Sequence, residues 1–185
     1  MKTLFTTAVA GLAGVTAMIP AQAGTFSAGN SMARDCWQSA VARDYDRNAL
    51  YHCNQALQFE GLDSRNRAAT HVNRGVILMR NRDYRSAERD FGRALRLDAG
   101  NPEAYLNMGI SRIRQDQSDA ALPLVEKALA LGTKEQALAY YSRAIIHERA
   151  GKLRAAYADL QRARDLAPDW DEPAEDLKRY VVKSR

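Results

Sequence analysis

The chain has 185 residues, of which 46% are hydrophobic and 26% charged, with a formal net charge of +5. This length suits one domain or one short repeat array, and the composition excludes intrinsic disorder. Alanine and arginine are abundant and proline is scarce, which favours helices because Ala and Arg lose little side-chain entropy in them.

Residues 1–23 are predicted to be a signal peptide. Lys2 gives a positive start, residues 4–19 carry no charge, and an A-x-A cleavage site ends at Ala23. Cleavage before Gly24 lowers the net charge from +5 to +4, since Lys2 is the only charged residue removed. The alternative is a membrane anchor, but the apolar run is short and is interrupted by glycines and Pro20. We expect a periplasmic or secreted protein without a transmembrane anchor in the mature chain.

An internal repeat follows. Asn73-Arg74-Gly75 recurs one period later as Asn107-Met108-Gly109, and a third copy is centred on Ala144. Each central small residue is followed by an alanine, a large apolar residue and a second alanine at fixed offsets. These are Ala87, Phe91 and Ala94; Ala121, Val125 and Ala128; and Ala156, Leu160 and Ala163. Two antiparallel helices cross closely only where side chains are small, so the pattern predicts a stack of helix pairs.

Helices are predicted at residues 32–43, 46–59, 65–80, 84–97, 102–114, 118–131, 134–149, 153–166 and 171–182. The first two form a degenerate pair, residues 32–60, because Ala49, Cys53 and Ala56 match only the second half of the pattern. Three full repeats occupy residues 65–170, at about 68–101, 102–136 and 137–170. Residues 171–185 are expected to form a capping helix and tail.

The pattern resembles the tetratricopeptide repeat (TPR) family. Tyr105 and Tyr140 occupy the aromatic position early in the first helix of a repeat, and Pro168 closes the last repeat. His71 replaces the aromatic residue in the first full repeat, which is a departure from the family pattern. The resemblance implies an all-α, right-handed α-solenoid of antiparallel helix pairs whose concave face holds peptides or proteins.

The resemblance also implies which residues contact the partner, since in this family the inner side of the first helix of each repeat does so. The residues at these places are Val72, Asn73, Val76, Met79 and Arg80; Leu106, Asn107, Ile110, Ile113 and Arg114; and Tyr141, Ser142, Ile145, Glu148 and Arg149. For Val76 and Ile110 the alternative is packing between neighbouring repeats. Asn73 and Asn107 suit a peptide backbone, because an amide both donates and accepts hydrogen bonds.

Cys36 and Cys53 are the only cysteines in the chain. Counting by the repeat puts them at facing places in the first helix pair, and Cys53 takes the position that Phe91 has in its repeat. In an exported chain this predicts a disulfide bond. Free buried thiols and a redox-active pair are the alternatives.

Two arginines precede an aspartate at the same separation along the sequence, Arg74 before Asp90 and Arg143 before Asp159. The same places in the middle repeat hold Met108 and Leu124. Both members change together from charged to apolar, which predicts a contact across each helix pair, since a half-buried arginine without its acid is costly. Coincidence is the alternative.

The sequence offers no motif for chemistry. It has no HExxH, CxxC, GxSxG or phosphate-binding glycine loop, and His52, His71 and His147 lie in different repeats. We therefore expect a non-catalytic scaffold that binds a protein or peptide and needs no cofactor or metal. The alternatives are a basic protein that binds an anionic surface or nucleic acid, an enzyme or redox protein, and self-association through the end helices. Acids interleaved with the bases predict no basic patch, which with export argues against nucleic acid.

Overall fold

A computed structural model of the chain describes residues 2–5, 31–42 and 48–184, with side chains described for residues 31–42 and 48–180. The predicted signal peptide and its cleavage site therefore lie outside the described residues, apart from residues 2–5. The chain divides into two compact units. The first unit is residues 19–134, and the second is residues 135–185 together with residues 1–18.

The described residues of the first unit form three helix pairs. Its helices are α1 (Met32–Val41), α2 (Ala49–Phe59), α3 (Ser64–Arg80), α4 (Tyr84–Leu97), α5 (Pro102–Arg114) and α6 (Ser118–Ala130). Asp63, Asp83 and Asn101 cap α3, α4 and α5, each accepting a backbone N–H from three residues further on. The six predicted helices in this region are confirmed, with boundaries shifted by at most a few residues.

The second unit holds the last repeat and the end of the chain. Its elements are α7 (Gln136–Arg149), α8 (Leu153–Leu166), α9 (Asp171–Leu177) and the antiparallel strands β1 (Lys2–Phe5) and β2 (Val181–Ser184). The described residues are otherwise helical or in turns, so the fold is the all-α helical-repeat type that the sequence predicts.

The predicted helix over 171–182 is wrong at its C-terminal end, because α9 stops at Leu177. The backbone N–H groups of the next three residues bond to carbonyls only three residues back, which tightens and ends the helix. Tyr180 then turns inward, with its ring centre 5.7 Å from that of Tyr157. Val181 then begins β2.

Small residues lie where the helices of a repeat cross. A Cβ atom at Gly75 would lie 2.5 Å from Cε1 of Phe91, and one at Gly109 would lie 2.8 Å from Cγ2 of Val125. Both distances are shorter than carbon atoms tolerate, so each large side chain fills the space that the glycine leaves. The predicted close crossing is confirmed for these two repeats.

The turn between the two helices of a repeat uses a left-handed backbone conformation. Arg82 and Asp116 have φ angles of 62° and 58°, and Gly151 at the same place in the last repeat has 70°. Glycine adopts this conformation without steric cost, whereas a residue with a side chain is strained there. The first two repeats therefore carry a small strain that the last one lacks.

The predicted disulfide is confirmed. The sulfur atoms of Cys36 and Cys53 are 2.06 Å apart, and the bond links α1 to α2. Both residues are fully buried. A loop of this length stabilises the fold by about 3 kcal/mol in the chain-entropy model.

Candidate partner-binding surfaces

The predicted contact residues on α3 and α5 are almost all buried. The exposed fraction is at most 2% for the apolar and amide side chains Val72, Asn73, Val76, Met79, Leu106, Asn107, Ile110 and Ile113. Arg80 and Arg114, at the C-terminal ends of these helices, are half-buried. Burial of this degree is what packing between neighbouring repeats produces, so a contact with a partner stays a prediction for these residues.

Asn73 is a buried amide without hydrogen bonds. Its side chain is fully buried, yet neither Nδ2 nor Oδ1 has a partner among the described residues. Asn107, at the same place in the next repeat, donates from Nδ2 to the carbonyl oxygen of Glu103 at 2.8 Å. A buried polar group that lacks a partner costs about 1–3 kcal/mol. Asn73 therefore carries an unfavourable free energy that a suitable ligand could remove.

In the last repeat, Tyr141 already has partners within the chain. Its hydroxyl donates to Oδ2 of Asp176 at 2.8 Å, and its ring centre lies 4.8 Å from that of Trp170. Burial and the negative charge of Asp176 raise the pKa of Tyr141. The segment that follows α8 thus covers this side chain, while Ile145 is half-buried and Arg149 is exposed.

The predicted pair Arg74–Asp90 is confirmed, and it belongs to a larger cluster. Arg74 donates from Nε and Nη2 to the two carboxylate oxygens of Asp90, each at 2.7 Å. Nδ1 of His71 lies 3.1 Å and Nη1 of Arg93 lies 2.9 Å from Oδ1 of the same carboxylate. Burial alone would raise the pKa of Asp90, but the hydrogen bonds from Arg74, His71 and Arg93 outweigh it and hold that pKa far below the usual value.

The corresponding pair of the last repeat is also confirmed. Arg143 donates from Nε and Nη2 to the two oxygens of Asp159, each at 2.8 Å. Asp159 is buried, with an exposed fraction of 6%. Both charged pairs join the two helices of a repeat, so their role is structural.

The outward face of α4 carries a line of exposed arginines. Arg85, Arg89, Arg93 and Arg96 are all exposed and are spaced by four, four and three residues, which sets them on one side of the helix. We call them the arginine row. The prediction of no basic patch is wrong here, because the acids between these arginines turn away: Asp90 is buried and Glu88 pairs with Arg112 of α5. The helical spacing of the arginines was the signal that could have revealed the row.

The arginine row belongs to the first full repeat alone. The corresponding positions hold Asp119, Pro123, Lys127 and Ala130 on α6, and Arg154, Ala158, Arg162 and Asp165 on α8. Of the two arginines at these positions of α8, Arg162 lies over the ring of Tyr140, with 6.0 Å between guanidinium carbon and ring centre. The repeat pattern therefore does not require basic residues at these places.

A pocket of about 250 Å³ opens beside the arginine row, between α2, α3 and α4. Its lining includes Leu50, Asn54, Arg74, Ser86, Arg89 and Arg93. Arg74 donates to Oδ1 of Asn54 at 2.7 Å, and Arg89 donates to Oγ of Ser86 at 2.8 Å. The pocket therefore presents guanidinium groups that are held in place by Asn54, by Ser86 and by the carboxylate of Asp90, which also lines it.

Metal-binding and membrane-spanning features were sought in the part of the chain that the structure describes. There, no group of three or more His, Cys, Asp and Glu side chains is placed to hold a metal ion. No helix among those residues has the length and apolar character needed to cross a bilayer.

Antiparallel helix pairs that cross at small residues once in every period of the sequence define a helical-repeat protein. Two tetratricopeptide repeat models match the chain, at residues 68–101 and 106–169, and together they cover about half of it. The chain belongs to the tetratricopeptide repeat family. The family predicted from the sequence is thereby confirmed.

Solved structures of TPR proteins share the fold. Residues 41 to the end of MamA from Desulfovibrio magneticus RS-1 are 23% identical, with 80% of this chain and 82% of that chain covered and a TM-score of 0.63. A crystal structure of MamA is 20% identical, with 77% of this chain and 80% of that chain covered and a TM-score of 0.60. YrrB, a TPR protein with an unusual peptide-binding site, is 18% identical, with 79% of this chain and 72% of that chain covered and a TM-score of 0.58. No curated protein sequence matches the chain.

Proposed function

We propose that this protein is a non-catalytic scaffold that holds a peptide or protein partner against the first helices of its repeats. The observation that carries the proposal is the buried amide of Asn73, whose donor and acceptor both lack partners among the described residues. A peptide backbone offers one N–H and one C=O per residue and can satisfy both atoms. The peptide-binding site of YrrB supports a ligand of this kind, since the two chains share a fold.

Around Asn73, the other predicted contact residues supply complementary interactions. Val72, Met79, Leu106 and Ile113 are at most 2% exposed, so they contact apolar side chains of the partner only where binding uncovers them. Arg80 and Arg114 lie at the ends of α3 and α5, where a guanidinium can hold a carboxylate or a backbone carbonyl with two donors. The proposed ligand is thus a segment that combines apolar side chains with an accessible backbone.

The burial of these residues has a kinetic consequence for the proposal. Asn73 has no exposed surface, so a partner reaches it only after the surrounding side chains have moved. Binding that requires such a change associates more slowly than the usual 10⁵–10⁷ M⁻¹s⁻¹ of docked proteins, about 10⁵ M⁻¹s⁻¹ or below. Stopped-flow measurements with the partner would test this rate.

The decisive experiment replaces Asn73 by leucine, which keeps the number and branching of the side-chain heavy atoms and removes the polar atoms. Asn73→Leu should raise the free energy of unfolding by about 1 kcal/mol, because the unpaired amide is gone. The same change should weaken the partner about tenfold or more, since two backbone hydrogen bonds are lost. The partner would first be captured by a photo-crosslinking residue at position 80, and affinities would then be measured by titration.

Asn81→Leu is the matched control, because Asn81 is exposed and lies outside the predicted contact set. It should leave the affinity unchanged. An Asn73→Leu protein that is more stable and still binds at full affinity would contradict a role for the first-helix face. Loss of binding together with loss of stability would show that Asn73 is structural.

We also propose that the protein is exported and works in the periplasm or outside the cell, after cleavage between Ala23 and Gly24. The signal-like N-terminus carries this proposal, and the buried Cys36–Cys53 bond supports it, since such bonds persist in oxidising compartments. N-terminal sequencing of the protein from fractionated cells should begin at Gly24. Full-length protein in the cytoplasmic fraction alone would contradict export.

A further inference from the structure

The arginine row is suited to binding a partner and does not stabilise the fold. In the described part of the chain, Arg85, Arg89 and Arg96 form no salt bridge, whereas Arg93 reaches Asp90. Like charges at spacings of three and four residues repel one another and weaken a helix. Four arginines on one helix face are therefore unfavourable for the isolated chain, and the other two repeats do without them.

The pocket beside the row adds a second feature. Arg89 and Arg93 border it, and the hydrogen bond to Ser86 holds the guanidinium of Arg89 at its rim. Asp90 at its base binds both Arg74 and Arg93 and offsets one of their charges, so the three arginines leave the pocket with a net positive charge. A carboxylate that enters here meets donors fixed in advance, which strengthens a charge-assisted hydrogen bond.

The shape of the row selects among anionic partners. It is one residue wide and spans about 17 Å at the helical rise of 1.5 Å per residue. Broad anions, such as a lipid bilayer or a nucleic-acid duplex, would leave most of their charge without a partner on a row one residue wide. A narrow partner matches the row better. Arginines four residues apart on α4 also have the same spacing along the helix axis as carboxylates four residues apart on another helix.

We infer that the outward face of α4 docks an acidic helical segment of a protein partner, whose carboxylates pair with the arginine row and place one group in the pocket. This surface lies on the second helix of its repeat and is separate from the first-helix face proposed above for peptide binding. Arginine suits the task because its planar guanidinium holds both oxygens of a carboxylate.

The test uses the purified chain and two synthetic helical peptides with the same number of glutamates, spaced by four residues in one and by five in the other. ¹⁵N-labelled protein is titrated with each peptide at low salt, and backbone amide shifts are followed by NMR. The peptide with a spacing of four should cause saturable shifts in α4 and around the pocket. The peptide with a spacing of five should bind several-fold more weakly, because its carboxylates do not share a helix face.

A triple variant, Arg85→Gln, Arg89→Gln and Arg96→Gln, removes the charge without touching the Asp90 cluster. It should bind the first peptide about tenfold more weakly, given three exposed ion pairs. Lys127→Gln, Lys152→Gln and Arg154→Gln together form the matched control, with the same change in net charge on exposed residues of α6 and the second unit. This control should bind as the unchanged protein does.

Charge reversal gives an independent readout. Arg85→Glu, Arg89→Glu and Arg96→Glu should lose the glutamate peptide and gain a lysine peptide with the same spacing of four. Equal binding of both glutamate peptides, equal losses in the two triple variants, or tighter binding of anionic vesicles or duplex DNA through α4 would each overturn the inference. Because none of these residues belongs to the first-helix face, failure here leaves the peptide-binding proposal standing.

Discussion

The first full repeat and the middle repeat build the same helix crossing with different chemistry. In the first, the buried carboxylate of Asp90 receives two hydrogen bonds from Arg74, and the places of this pair in the middle repeat hold Met108 and Leu124. Each crossing closes on a glycine that faces a large side chain. The repeat thus fixes where the helices touch and leaves open whether the contact is ionic or apolar. An ionic contact in the core is stable only while all its members are present.

The largest expected effect comes from breaking the ionic contact. Asp90→Ala should lower the free energy of unfolding by about 3 kcal/mol, because Arg74, with 17% of its side chain exposed, loses its partner. Replacing the pair by that of the middle repeat, Arg74→Met with Asp90→Leu, should recover most of the loss. Denaturant unfolding of the three proteins gives both values. A double variant no more stable than Asp90→Ala would mean that the two repeats are not interchangeable.

The helix crossings at Gly75 and Gly109 should be destabilised to different degrees by an added methyl group. Gly75→Ala brings a Cβ to 2.5 Å from the Phe91 ring, which is fully buried, and should cost about 2 kcal/mol. Gly109→Ala meets one methyl group of Val125 at 2.8 Å and should cost about 1 kcal/mol, since alanine also favours the helix. Thermal unfolding of both variants compares them directly. Equal costs would show that the ring of Phe91 shifts as easily as the methyl of Val125.

Acid should lower the free energy of unfolding more for the unchanged protein than for the variant in which the Arg74–Asp90 pair is replaced by apolar residues. The pKa of Asp90 is lowered in the folded state, so its stabilisation is complete above the unfolded value near 4 and is lost as the pH falls towards the folded value. Between pH 5 and pH 3 the unchanged protein should lose about 1 kcal/mol more than the Arg74→Met, Asp90→Leu variant. Urea unfolding at both pH values measures this difference. Parallel losses would exclude Asp90 as the titrating group.

The smallest expected effect concerns the turn between paired helices. Arg82→Gly should stabilise the protein by about 1 kcal/mol or less, because glycine relieves the strain of a φ angle of 62°. The reverse change in the last repeat, Gly151→Ala, should destabilise by a similar amount. Melting temperatures of the two variants should therefore move in opposite directions. A fall for Arg82→Gly would show that its side chain contributes more than its backbone strain costs.

Most of the fold could be predicted because it depends on short-range periodicity. Fixed offsets from Gly75, Gly109 and Ala144 predicted the helix pairs, their crossings, the disulfide and the Arg–Asp contacts. The end of α9 could not be predicted in this way, because beyond the last repeat no copy remained to compare. There the inward turn of Tyr180 against Tyr157 decides the structure, and this contact joins residues distant in sequence.

The candidate site was predicted less completely, for a different reason. Periodicity shows which residues share a helix face but not what covers that face, so the burial of Met79 and Ile113 and the bond of Tyr141 to Asp176 were not foreseen. The arginine row was missed because acids and bases alternate along the sequence. The predicted Arg74–Asp90 contact already implied that Asp90 turns inward. The fold adds that Glu88 pairs with Arg112 and that the neighbouring arginines are exposed.

The bond between Cys36 and Cys53 makes one end of the helix array sensitive to its surroundings. In the first full repeat, the ring of Phe91 fills the space at the helix crossing. The first helix pair has instead a covalent link at this place, which reducing agents break. The α1–α2 pair should then open locally under reducing conditions while α3–α6 stay protected. Hydrogen exchange with and without a reductant would show this as faster exchange confined, among the described helices, to α1 and α2. The packing of the α1–α2 pair is thus expected to depend on the redox state of its surroundings, whereas the packing of α3–α6 is not.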